Sequence, residues 1–131
     1  MSLETLEMSA VFPVKPTKIY TAWLEGKKHA LMTGAHASGK AEEGAKFKAW
    51  DGYITGENLE LVRDKLIVQS WRTTDFAESD VDSRLEVHLH AVPEGTKVTL
   101  THSDLPKGGK EKYTQGWKEF YFDPMAKFFH S

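Results

Sequence analysis

A chain of 131 residues without cysteine has room for one domain with a real core, and it excludes disulfides, thiolate nucleophiles and cysteine-based metal sites. Its formal net charge of −2, from 17 basic and 19 acidic residues, supplies no field to recruit nucleic acid or an anionic membrane. Its apolar runs stop far short of the roughly 20 residues of a membrane helix, and the start lacks a basic segment followed by an apolar one. The expectation is a single domain over residues 1–131 in the cytoplasm, with no nucleic-acid partner, no membrane insertion and no cofactor.

Leu6, Met8, Ala10 and Phe12 alternate, which is the period of a half-buried strand. Pro16 then suits the first turn of a helix that carries Ile19, Tyr20 and Trp23 on one face. Gly26 breaks that pattern before a second short helix, KKHALMTG.

From Ala45 to about His102 the chain reads as strands joined by tight turns. Asp51-Gly52 is a strong type I′ hairpin signal. It pairs Trp50 with Tyr53, Ala49 with Ile54 and Phe47 with Gly56. RDK leads into a further strand, LIVQSWRT, and the acidic TDFAESDVD is expected to be a mobile loop. A turn centred on Glu94-Gly95 pairs His90 with Thr99 and His88 with Thr101, and sets His102 opposite Val87 on the apolar face.

The last stretch, KEKYTQGWKEFYFDPMAKFF, is helical, with Tyr113, Trp117, Phe120, Tyr121 and Phe128 on one face. Pro124 inside it should kink or end it. Strand, two short helices, a meander and one long helix predict an α+β fold: a curved antiparallel sheet gripping the terminal helix.

Chemistry is sparse in this pattern. Asp51 at a hairpin tip is solvated, with nothing to tune it for acid–base work. His88 and His90 share a strand face but find no third ligand, so they read as surface rather than metal site. His102 is either a hydrogen-bonded core residue or a polar group in a cavity. Its neighbours Ser103 and Asp104 point to alternate faces, against a triad. Trp23, Trp71, Trp117 and Tyr121 read first as core and second as ligand contacts. Phe122 and Phe129 lie off the helix stripe. Either the kink folds them back onto the sheet, or they form an exposed patch for a partner or dimer.

The segment GAKFKAWDGYITGENLELVRDKLIVQSWR resembles the central part of the family named for the activator of the heat-shock protein 90 ATPase. GTKVTLTHSDLP and QGWKEFYF resemble that family's last strand and final helix. The resemblance implies a helix-grip fold of the START-like superfamily, and it offers no catalytic motif.

Three functional expectations follow. The first is a non-enzymatic module holding a small hydrophobic molecule between sheet and terminal helix, near Trp23, Phe47, Trp71, His102, Trp117 and Tyr121. The second is a co-chaperone role, in which the surface around Phe122 and Phe129 meets a heat-shock protein 90-type chaperone and stimulates its ATPase. The third is a cyclase- or hydrolase-type enzyme with His102 as general base. A monomer or weak dimer fits each of them.

Overall fold

A computed structural model of the protein describes residues 3–130; Met1, Ser2 and Ser131, at the ends of the expected 1–131 domain, lie outside the described residues. The chain runs through β1 (Glu4–Phe12), α1 (Pro16–Leu24), α2 (Gly26–Thr33), β2 (Lys46–Ala49), β3 (Ile54–Val62), β4 (Leu66–Thr73), β5 (Ser83–Val92) and β6 (Gly95–Leu105). A terminal helix follows: α3 (Gly109–Trp117), a π turn (Lys118–Phe122) and α4 (Asp123–Phe128). The strands form one antiparallel sheet in the order β1-β6-β5-β4-β3-β2. Its inner face carries Leu6, Phe12, Ile67, Leu85, Val87 and Leu100, all buried beneath the helices. This is the helix-grip architecture that the element order predicts.

The β2–β3 hairpin keeps two of the three expected pairs, Ala49↔Ile54 and Phe47↔Gly56. Trp50 and Tyr53 are not a cross-strand pair. Trp50 adopts φ 51°, Asp51 φ 58° and Gly52 φ 91°, so the loop is four residues long and closes with the Tyr53 N–H on the Trp50 carbonyl at 3.0 Å. At Gly56 the backbone approaches closely: a Cβ there would stand 1.9 Å from the Ser70 carbonyl oxygen. The Phe47 ring lies over the vacancy that this glycine leaves.

The β5–β6 register is displaced by one pair from the expected one. Val92 pairs with Gly95, so the turn residues are Pro93 and Glu94, and His102 stands opposite Leu85 rather than Val87. A shift of two residues preserves every face, which leaves His102 inward as expected. His88 pairs with Thr99 and His90 with Lys97. The acidic segment before β5 is tied down rather than loose. The Arg72 guanidinium donates to the carbonyls of Ala77 and Asp80 and to the Asp82 carboxylate, at 2.7–3.1 Å.

The terminal helix departs most from the sequence reading. Apart from Phe122, its large buried side chains, Tyr113, Trp117, Tyr121, Met125 and Phe129, recur every four residues. A strict period of four drifts about 40° per step on an ideal α-helix. The π turn absorbs part of that drift, with the Asp123 N–H reaching back to the Lys118 carbonyl. It forms just before Pro124, which has no N–H to offer the Phe120 carbonyl. The helix therefore widens where a kink or an end was expected.

The resulting change of phase decides where four phenylalanines lie. Phe122 and Phe129, read either as folded back onto the sheet or as an exposed partner surface, take the first place, at 8% and 5% exposed. Both pack edge-on against Phe12, at ring distances of 6.0 and 6.1 Å. Phe120 and Phe128, placed on the buried stripe by α-helical periodicity, are 49% and 44% exposed.

Candidate functional site

Between sheet and terminal helix the fold stacks aromatic rings. Trp117 from α3 lies 6.0 Å from Trp23 of α1, 5.5 Å from Trp71 of β4 and 4.8 Å from Tyr121. Trp71 also meets Tyr113 at 5.0 Å. Such rings bring a large apolar area, and each pair adds roughly 0.5–1.5 kcal/mol beyond burial. The Trp23 indole N–H reaches Gln69 at 3.3 Å, and Gln69 in turn donates to Asn58 at 2.9 Å. Asn58 closes the chain on the carbonyls of Lys40 and Glu42. Polar groups inside this core are thus satisfied by one another.

His102 sits within the stack, fully buried and 4.5 Å from the Trp71 ring. The Trp117 N–H donates to its Nδ1 at 3.1 Å. Nδ1 must therefore be the acceptor and Nε2 the protonated nitrogen, which donates to Ser83 Oγ at 2.7 Å. Ser83 passes its own proton to the Trp71 carbonyl at 2.6 Å. Burial pushes the imidazole down to about 3, so it stays neutral. A base needs a free lone pair within reach of its substrate; here Trp117 holds it. His102 is the hydrogen-bonded core histidine of the two readings.

A second histidine repeats the arrangement unannounced. His29 of α2 donates from Nδ1 to the Trp23 carbonyl at 2.8 Å and accepts at Nε2 from the Tyr121 hydroxyl at 2.7 Å. Burial lowers its basicity, opposed by the bond to Trp23, and raises the Tyr121 phenol well above its ordinary value. The pair clips α2 to the terminal helix.

Beside this packed region opens a cleft of about 410 Å³. Trp50, Tyr53 and Ile54 of the β2–β3 hairpin form one wall, Trp71 the floor, and the Lys112–Tyr121 side of the terminal helix the other wall. Trp50 packs edge-on against Phe120 at 5.2 Å. Its indole N–H is buried with no acceptor at full hydrogen-bond distance, although it lies close enough to the Tyr121 hydroxyl to offset part of that phenol's rise. At the rim, Asp75 accepts from the Tyr53 hydroxyl at 2.6 Å and from Lys112 Nζ at 2.5 Å. These partners, Lys112 first, hold the Asp75 carboxyl below its usual range. The cleft is apolar within and charged at its edge.

Of the residues expected to contact a ligand, Trp71, Trp117 and Tyr121 line this cleft. Trp23 lies behind Trp117 in the core, His102 is enclosed by the stack, and Phe47 covers Gly56. Trp50, Tyr53, Tyr113 and Phe120 line it without having been singled out as ligand contacts. An aromatic pair flanking the Asp51-Gly52 turn was the available signal. His88 meets Glu86 at 3.0 Å on the outer face, and no group of three or more metal-ligating side chains occurs among the described residues. Among the same residues, no helix is long and apolar enough to cross a membrane.

The architecture and its aromatic filling define a helix-grip domain of the START-like superfamily. A family model for activator of Hsp90 ATPase homolog 1-like proteins matches residues 13–130, and the chain belongs to that family. It is 26% identical over 124 residues to the human activator of 90 kDa heat shock protein ATPase homolog 1, covering 95% of this chain and 36% of that protein. The chain thus spans about a third of the length of the curated relatives it matches. An HSP90 activator from Plasmodium falciparum superposes with a TM-score of 0.85 at 26% identity, covering 95% of this chain and 94% of that one. Ara h 8.0201, at 16% identity and a TM-score of 0.73 over 97% of both chains, shares the fold alone.

Proposed function

We propose that this chain is a co-chaperone-like domain that binds a heat-shock protein 90-type chaperone and modulates its ATPase. The observation that carries this reading is the match, over nearly the full length of both chains, to the solved chain of an HSP90 activator. The interior supports it: the internally bonded His102 and the packed tryptophans read as scaffold rather than machinery. The contact proposed at Phe122 and Phe129 is withdrawn, because both are buried. Phe120 and Phe128, half exposed on the terminal helix, take its place. Co-sedimentation of the purified chain with the chaperone from the same cell, alongside ATPase rates, tests this. Binding that weakens in Phe120→Ser and Phe128→Ser supports it; absence of both binding and stimulation refutes it.

The cleft favours a second reading, a small apolar ligand held between hairpin and terminal helix. Its volume of about 410 Å³ falls within the range of about 300–1,000 Å³ typical of small-molecule sites. Naphthalene-sized neutral probes should shift the indole signals of Trp50, Trp71 and Trp117 in heteronuclear NMR spectra. Unmoved spectra at millimolar probe would end this reading.

A further inference from the structure

The cleft already binds a carboxylate, and that carboxylate is the protein's own. Asp75 leans from the loop after β4 to the rim, where the Tyr53 hydroxyl and the Lys112 ammonium converge on one of its oxygens, Oδ2, at 2.6 and 2.5 Å. Tyr53 and Lys112 both line the cleft, from opposite walls. A neutral hydroxyl donor and a cation converging on one point form a carboxylate receptor. Inside that rim the cleft is lined by Trp50, Trp71, Tyr113 and Trp117, whose rings suit a planar apolar body.

Resting on the small-ligand reading above, we infer that the cleft takes an aromatic monocarboxylate, whose carboxylate displaces Asp75 from Tyr53 and Lys112 while its ring enters the aromatic wall.

Displacement is structurally inexpensive. The Asp75 side chain is 48% exposed, so it can turn into water without entering another protein environment. Its loop is anchored independently, by Arg72 on Ala77, Asp80 and Asp82 and by Phe76 packing 6.2 Å from Trp71. The incoming acid has what Asp75 lacks, an apolar body to bury. The charges lining the cleft are Lys112 and Glu119. Glu119 accepts from the Gln115 amide one turn before it and stays anionic, so it is Lys112 that can meet an incoming anion there. Neutral molecules of the same shape gain the ring contacts but not the rim, so the site should discriminate by charge.

Titrating the full chain with 2-naphthoate and with the isosteric neutral 2-naphthamide tests this, followed by the indole signals and by tryptophan fluorescence. The acid should bind about tenfold more tightly than the amide, the ratio expected for one charge-assisted hydrogen bond. Lys112→Met should bring the acid to the level of the amide and leave the amide unchanged. Asp75→Asn should tighten the acid severalfold by removing its competitor. Equal binding of acid and amide would overturn the carboxylate receptor while leaving the small-ligand reading intact. Failure of both probes would overturn the two together. An acid that binds no better in Asp75→Asn than in the native chain would overturn the displacement.

Discussion

Two neighbouring regions of this domain use the same residue types to opposite ends. Around His102, tryptophan, histidine and serine form a closed chain in which each N–H and O–H has an acceptor, down to the Trp71 carbonyl. At the cleft, Trp50 stands in the left-handed region at φ 51°, its indole N–H is buried without a partner, and its ring rests on the half-exposed Phe120. Satisfied polar groups and relaxed backbone mark scaffold. An unpartnered donor and a left-handed backbone, which costs on the order of 1–3 kcal/mol, set the cleft wall apart from it. Trp71 belongs to both, packing 4.5 Å from His102 in a T-shaped contact and lining the cleft.

The comparison is broken most severely at Trp117. Trp117→Ala would remove stacking partners from Trp23, Trp71 and Tyr121 and strand the Nδ1 acceptor of His102. The expected loss is about 3–5 kcal/mol in chemical denaturation. A loss below about 1 kcal/mol would mean that the stack does not hold sheet to helix. Ser83→Ala is the gentler cut. It leaves the His102 Nε2–H buried and unanswered, for about 1–3 kcal/mol, and should leave probe binding in the cleft unaltered.

Protonation challenges the closed region without any mutation. Burial holds His102 near 3 in the folded state against 6.5 for a free imidazole. The unfolded chain therefore takes up a proton that the folded chain refuses. The stability that His102 contributes is fully present above pH 6.5 and is lost as pH falls from there toward 3. The slope approaches about 1.4 kcal/mol per pH unit for one such group, and the buried His29 is shifted the same way. His102→Gln keeps an acceptor and a donor but no titration. Its denaturation midpoint should change less between pH 6.5 and 4.5 than that of the native chain, and parallel curves would place the acid lability elsewhere.

How much of this the sequence carried depends on the range of each signal. Alternation in β1 and the hairpin pairs at Phe47 and Ala49 are local, set by period and turn chemistry, and they are legible. So is the inward face of His102, because an error of one pair in the β5–β6 register moves positions by two and preserves the face. The partners of His102 are not legible. Ser83 and Trp117 reach it only through the actual register and the placement of α3, which no local pattern encodes. Phe120 and Phe128 failed for a related reason: helical periodicity assumes 3.6 residues per turn, and the π turn ahead of Pro124 breaks that assumption at the point where inside and outside are decided, whereas Phe122 and Phe129 do fold back onto the sheet. The acidic loop looked mobile because its anchor, Arg72, lies on the preceding strand and its contacts depend on the folded loop.

The smallest expected effect is the most informative about the cleft. Trp50→Phe removes the orphan N–H while keeping an aromatic ring against Phe120. Had that N–H been part of the scaffold, its removal would cost as much as Ser83→Ala. An unpaired buried donor is instead a desolvation penalty already incurred. Deleting it should return part of that penalty and offset the packing lost with the smaller ring, leaving stability within about 0.5 kcal/mol of the native chain. Trp117→Phe makes the same chemical change in the closed region and should cost well over about 1 kcal/mol, since it orphans His102 Nδ1. Measured side by side by urea denaturation, the two Trp→Phe variants isolate hydrogen-bond context from ring size. Equal costs would erase the distinction between scaffold and cleft; a cost confined to Trp117 would fix the boundary between them at Trp71.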